Sequence, residues 1–240
     1  MTRNELDETF MPMTRAVDDA SRAGPPADGR GDDPEDPVLY VAAFEPRSFV
    51  AGPGMRAMVW VAGCHRRCPG CSQPEFLPFN SGRPVRVSEL WDRIQTIPGL
   101  DGVSFSGGEP FEQASALAVL AKKVHDHGLT VVSYTGYRLE ALQAEPSRFS
   151  ALLSEVDLLI DGEYREEMAG HHRWRGSANQ RLICLTDRIK NPEETGVSEM
   201  QITFGSGGPD LVFSGILSPE LVRELRERLA DRGLPTARRG

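Results

Sequence analysis

Apolar residues fall in short runs separated by polar, glycine-rich stretches. The first run is Val38-Leu39-Tyr40-Val41-Ala42, where the folded part begins. Met58-Val59-Trp60-Val61 reads as a strand, and so do Val103-Ser104-Phe105, Thr130 to Tyr134, Val156 to Ile160 and Leu182 to Leu185. Between them lie helical patterns. Ser88 is placed to cap a helix with Leu90, Ile94 and Ile97 on one face. Leu117, Leu120 and Val124 mark a second helix, stopped at Gly128. Leu139 to Gln143 and Arg148 to Leu153 are shorter helical pieces. Strands alternating with helices predict right-handed βα units and a parallel α/β sheet. After residue 196 the pattern changes. Met200 to Phe204 and Leu211 to Phe213 flank Gly205-Ser206-Gly207-Gly208-Pro209-Asp210, a hairpin signal, and Ser218-Pro219-Glu220 opens a last helix. Residues 197–240 are therefore expected to form a hairpin and helix appended to a core domain of residues 38–196.

Charge separates one further segment. The chain has 240 residues and a net charge of −8. Residues 1–37 hold ten acidic and four basic side chains and almost nothing to bury, which predicts a disordered acidic tail. The acidic balance speaks against nucleic acid or an anionic membrane as partner. No apolar run is long enough to span a bilayer, and the polar start does not read as a secretory signal. A cytoplasmic location is expected.

The cysteines carry the chemistry. Cys64, Cys68 and Cys71 lie within eight residues, with Cys184 far off. Crowded thiols in a reducing compartment point to a metal or cluster site rather than to disulfides. Zinc prefers four protein ligands. His65 adjoins Cys64 awkwardly, and Cys184 between Ile183 and Leu185 reads as a buried strand residue. Three thiolates suit an iron–sulfur cubane with one iron open to a further ligand. The other unusual clusters also follow strands: Gly107-Gly108-Glu109-Pro110, Thr135-Gly136-Tyr137 and Asp161-Gly162. In barrel-like α/β folds such loops share one face, so four distant clusters are expected to converge. The glycine pair permits close backbone approach. Glu109 is placed to accept a ligand's ammonium or to stand behind the loop as an orienter. Asp161 is read as a ligand for a cofactor, cation or substrate, or simply as a turn. The histidines read as surface residues.

These motifs, in this order, resemble the anaerobic ribonucleoside-triphosphate reductase activating proteins of the radical SAM superfamily. The resemblance runs from about residue 45 to 185. It includes Gly52-Pro53-Gly54-Met55-Arg56, Cys64 through Cys71, Ser106 to Pro110, Tyr134 to Tyr137, Leu159 to Gly162, and Trp174-Arg175-Gly176-Ser177-Ala178-Asn179-Gln180. Where the family often has Tyr-Asn after the third cysteine, this chain has Ser72-Gln73. The resemblance implies a partial (β/α) TIM-like barrel of the radical SAM type. It implies a 4Fe–4S cluster on Cys64, Cys68 and Cys71. It implies S-adenosyl-L-methionine (SAM) held near Gly70, Ser72, Gly107, Gly108, Glu109, Thr135 and Gly136. The implied activity is reductive cleavage of SAM to a 5′-deoxyadenosyl radical and installation of a glycyl radical on a partner enzyme, with a separate reducing electron donor. The partner implied is an anaerobic ribonucleotide reductase. No residue is assigned to catalysis. The Arg173–Arg181 loop, with Trp174, reads as a partner interface or a solvated loop, and the match gives Arg56 a substrate or partner role. Two alternatives stand beside this reading: a radical SAM enzyme acting on a small molecule or peptide, and a non-catalytic metal-stabilised binding module.

Overall fold

A computed structural model of the protein describes residues 33–190, 200–204, 211–215 and 219–233. Most of the acidic segment, and residues 205–210, where the sequence signals a hairpin connection, lie outside them. The strands are β1 (Val38–Ser48), β2 (Arg56–Val61), β3 (Arg83–Arg86), β4 (Gly102–Gly107), β5 (Thr130–Thr135), β6 (Leu158–Asp161), β7 (Ala169–His172), β8 (Arg175–Ser177), β9 (Arg181–Cys184), β10 (Met200–Phe204) and β11 (Leu211–Gly215). The helices are α1 (Val87–Gln95), α2 (Ala114–Asp126), α3 (Leu139–Ala144), α4 (Pro146–Leu153) and α5 (Pro219–Ala230). Among the described residues, no helix is long and apolar enough to cross a membrane.

Seven strands form one mixed sheet in the order β3-β1-β2-β4-β5-β6-β9. The central β2, β4, β5 and β6 are parallel. The outer β1, β3 and β9 run antiparallel, so the expectation of a parallel sheet holds only at the centre. The reason lies in the connections. A parallel return needs a crossover, and α2 and the α3–α4 pair supply it between β4, β5 and β6. Between β6 and β9 stands only a short turn and the β7–β8 hairpin, and the chain comes back antiparallel.

Period-two alternation divides the core between the two sheet faces. Val59, Val61, Val103, Phe105, Val131 and Leu159 face Leu90, Ile94, Leu117, Leu120, Phe149 and Leu152 of the helices. Each such side chain, fully buried, contributes ~1.5–3 kcal/mol. The opposite face carries a smaller cluster of Val132, Leu158, Ile160, Trp174 and Ile189. Trp174 is therefore core and not an exposed anchor. It adopts φ 57, a left-handed conformation that costs an L-residue ~1–2 kcal/mol. Burying the indole offsets that cost.

Three further expectations change. Ser88 sits inside α1, whose cap position is Arg86 without a side-chain bond. The cap comes from outside: Asp36 accepts from the Ser88 N–H at 2.8 Å and from its hydroxyl at 2.9 Å. His125 is half-buried, its ring nitrogens each 3.0 Å from Glu155 and Asp157 carboxylates, and is no free surface residue. Arg56 is fully buried at the start of β2. Its guanidinium donates to Ser104 Oγ, the Pro53 and Val103 carbonyls, and the Thr130 hydroxyl and carbonyl. It fills the space a side chain at Gly102 would need, where a Cβ would lie 2.2 Å from its Nη2. Five bonds at the leading end of the sheet make Arg56 structural. The C-terminal hairpin touches the same region: Gln201 accepts from the Phe49 N–H at 3.0 Å and donates to the Arg47 carbonyl at 2.7 Å.

Candidate iron–sulfur site

The parallel strands end together. Val61 pairs with Gly107, and Thr135 pairs with Asp161, so the loops leaving β2, β4, β5 and β6 lie side by side. The cysteine loop, Gly107-Gly108-Glu109, Thr135-Gly136 and Asp161-Gly162 thus converge as the topology required. Cys184 does not join them. It pairs with Leu158, at the opposite end of β6, and is exposed rather than buried.

The cysteine loop is built on its own backbone. Gly63 and Cys64 donate to the carbonyls of Phe76 and Leu77, and Cys71 donates to that of Cys68 at 3.2 Å. Gly63, Arg67 and Gly70 take positive φ, which turns the chain three times in eight residues. Cys64 is buried, while Cys68 and Cys71 are half-buried. The Arg66 N–H lies 3.4 Å from Cys64 Sγ. Burial pushes the Cys64 thiol up, against N–H donors from Arg66 and Arg67. Cys68 is pushed up to about 11, first by burial and then by the Glu163 carboxylate, whose Oε1 stands 3.7 Å from its sulfur. Such thiols stay protonated near neutrality and ionise when a metal takes the sulfur. His65 turns away toward the Phe79 ring at 4.6 Å and Glu112 at 3.8 Å.

Glu109 ties two loops together. Its Oε1 accepts from the Phe111 N–H at 3.0 Å and the Thr135 hydroxyl at 2.9 Å, and its Oε2 from the Gly136 N–H at 2.8 Å. The side chain is 1% exposed. Of the two roles open to it in the sequence, the orienter's is the one occupied; the carboxylate is not presented to a ligand. Burial raises it to about 7, more strongly than the three donors and Arg66 lower it.

The glycine pair packs against the cysteine loop. Gly108 donates to the Val61 carbonyl at 2.7 Å, and Glu109 donates to the Gly63 carbonyl at 2.8 Å. A Cβ on Gly108 would fall 2.4 Å from Gly63 O. The close approach inferred from the sequence is to the cysteine loop itself. Gly70 and Ser72 lie at the exposed outer end of that loop, with the Glu166 carboxylate against Gly70.

Asp161 is buried and spent internally, on the Leu139 N–H at 2.7 Å and the guanidinium of Arg181, which also grips Glu140 twice at 2.9 Å. The loop from Arg175 to Gln180 is likewise braced from within. Gln180 accepts from Gly176 and donates to the Gly162 carbonyl, and Asn179 donates to that of Glu163.

Arg66 was not singled out in the sequence. Its guanidinium lies 4.3 Å over the Tyr137 ring, and its Nε is buried with no partner. It flanks Gly136, where a Cβ would meet its Cδ at 2.4 Å. A buried, unpaired guanidinium N–H fits a ligand carboxylate. The three-thiol donor set, with N–H groups aimed at sulfur, fits an iron–sulfur cluster. The signal for Arg66 was its place between two candidate ligands, but its orientation depends on Tyr137, 71 positions along the chain.

The class of protein is shown by its family: residues 50–183, which include the three-cysteine loop, match the family described as 4Fe-4S single cluster domain, and the chain is an iron–sulfur protein. A Salmonella typhi protein called anaerobic ribonucleoside-triphosphate reductase-activating protein is 32% identical over 147 residues, 57% of this chain and 93% of that relative. One of the same name from Vibrio cholerae is 34% identical over 153 residues, 60% of this chain and 96% of the relative. A putative glycyl-radical enzyme activating enzyme of Haemophilus influenzae is 34% identical over 88 residues, 35% and 34% of the two chains. The chain belongs to the family of anaerobic ribonucleoside-triphosphate reductase-activating proteins, activating enzymes with a 4Fe–4S domain for which SAM is the expected cosubstrate.

Proposed function

We propose that this protein is a radical SAM activase that installs a glycyl radical on a partner enzyme, an anaerobic ribonucleotide reductase. The observation that carries the reading is the meeting of the three-cysteine loop with Gly107-Gly108 and Thr135-Gly136 at one sheet end, braced by Glu109. In this reading Cys64, Cys68 and Cys71 hold the cluster. Gly70, Ser72, Gly107, Gly108, Thr135 and Gly136 would line the SAM position, and Arg66 Nε, buried without a partner, would bind its carboxylate. When bound, cluster and SAM supply an electron transfer that breaks the C5′–S bond and a radical that takes a hydrogen atom from a glycine Cα.

The chain's own residues bind, orient and exclude water. Arg66, held on Tyr137, orients the carboxylate end. Glu109 fixes the spacing of the two glycine-bearing loops. The seven-stranded sheet is, in this reading, a partial barrel whose short count of parallel strands leaves a lateral opening for a protein loop. Residues 1–37 are an acidic tail and 197–240 an accessory unit, and the enzyme works in a reducing cytoplasm.

The test is anaerobic reconstitution with iron and sulfide, reduction, and addition of SAM with the partner reductase. Quantified 5′-deoxyadenosine and a glycyl-radical EPR signal on the partner, both absent in Cys68→Ala, are expected. Metal bound with no SAM cleavage in the presence of the partner refutes the reading in favour of a binding module. Cleavage without a radical on the partner favours a small-molecule or peptide substrate.

A further inference from the structure

Two of the cluster-loop sulfurs stand in different surroundings. Cys64 Sγ faces backbone N–H groups of its own loop, from Arg66 and Arg67. Cys68 Sγ faces a segment 95 residues further on, where Tyr164 offers an N–H and its neighbour Glu163 offers a carboxylate at 3.7 Å. Glu163 is not placed there by a loose loop. Its carbonyl accepts from Asn179 Nδ2 at 2.8 Å, and Gly162 before it is held by Gln180 and by its own N–H to the Tyr137 carbonyl. The carboxylate has no cation of its own among the ion pairs of the described residues.

We propose that Glu163 is a positioning residue that keeps negative charge beside the Cys68 sulfur and so lowers the reduction potential of the cluster. This rests on the reading that Cys68 is a cluster ligand. Protein groups tune such clusters through net charge, hydrogen bonds to sulfur and solvent exposure. An N–H aimed at a thiolate spreads its charge and favours the reduced state. A carboxylate at the same sulfur opposes the added electron by direct repulsion. Here consecutive residues supply the two opposed inputs, and a full charge acts over a longer range than a dipole. A carboxylate at this position makes the reduced cluster a stronger one-electron donor, as breaking a carbon–sulfur bond demands. In the metal-free chain the thiol donates to Glu163. Once iron replaces that proton, only the repulsion remains.

The experiment is a redox titration followed by EPR on the reconstituted full-length protein, with iron and sulfide counted for each variant. Glu163→Gln keeps the size and replaces the charge by an amide. It is expected to shift the midpoint to more positive potential, leaving about tenfold more cluster reduced at a fixed poise, or about 59 mV for one electron. Glu163→Asp retains the charge and is expected to keep most of the wild-type potential. Glu167→Gln, on an exposed residue of the next turn, serves as control and is expected to leave it unchanged. An unshifted midpoint in Glu163→Gln at full iron content overturns the inference alone, as does an equal shift in Glu167→Gln. Full iron and sulfide in Cys68→Ala overturns the ligand reading and this inference with it.

Discussion

A single methyl group at Gly108 tests how the site is assembled. Built on the present backbone, that methyl would lie 2.4 Å from Gly63 O, 2.7 Å from Gly63 C and 2.9 Å from Gly63 N. All three are backbone atoms, so no side chain can swing aside. Ordinary contact requires the two loops to separate by about 1 Å. That displacement strains the bonds from Gly108 to Val61 and from Glu109 to Gly63, at 2.7 and 2.8 Å. Overpacking costs ~1–3 kcal/mol, and a buried backbone group left unpaired a further ~1–3 kcal/mol. Gly108→Ala should therefore lose ~2–6 kcal/mol, a large share of the ~5–15 kcal/mol typical of a domain. The damage falls on the residue before Cys64, so iron content should fall with stability. Gly99→Ala is the control: φ is +75 and nothing lies within 4 Å, leaving only the left-handed cost of ~1–2 kcal/mol. Anaerobic urea unfolding of the reconstituted proteins, with iron and sulfide counted, measures both quantities. A Gly108→Ala protein with full iron and a loss no greater than that of Gly99→Ala refutes the packing argument.

The titration of Glu109 gives a pH test. Its folded carboxyl sits at about 7 against 4.5 in the open chain, so the folded state binds the extra proton between those values. This group's stabilisation is complete below pH 4.5 and is lost as pH rises to about 7, by about 3 kcal/mol. Urea midpoints followed across that range should fall accordingly, and Glu109→Gln should flatten the fall; an unchanged slope in the variant rules out Glu109 as its source. Trp174→Ala removes the centre of the smaller core cluster and should cost ~3–5 kcal/mol by the same unfolding assay. A loss under ~1 kcal/mol would return Trp174 to the surface role its loop first suggested.

Most strands and helices from Val38 to Leu153 were legible through a local period, two in the Val103-Ser104-Phe105-Ser106 run of β4 and nearly four along α2, or through a short apolar run as in β5. The strand β3, Arg83-Pro84-Val85-Arg86, carries neither and was missed. The cysteine loop and Gly107-Gly108 were legible because their chemistry is local. Asp36, Glu163 and Arg66 were not. Each acts on a group brought to it by the fold, 52 positions away for Asp36 and 95 for Glu163. The antiparallel return of β9 was hidden as well, since direction depends on the connection and not on Leu182-Ile183-Cys184-Leu185.

Arg173 to Arg181 shows the boundary between the two kinds of information. Composition determined that this loop is polar and arginine-rich. The tertiary structure decided that Trp174 turns inward onto Val132, Leu158 and Ile160, and that Arg181 is spent on Asp161 and Glu140. By itself the sequence determined the βα rhythm at the sheet's centre, three crowded thiols and a glycine pair, because these depend on spacing along the chain. Which sulfur meets a carboxylate, which glycine touches which backbone and which arginine is buried depend on distances through space. Only packing the sheet fixes those.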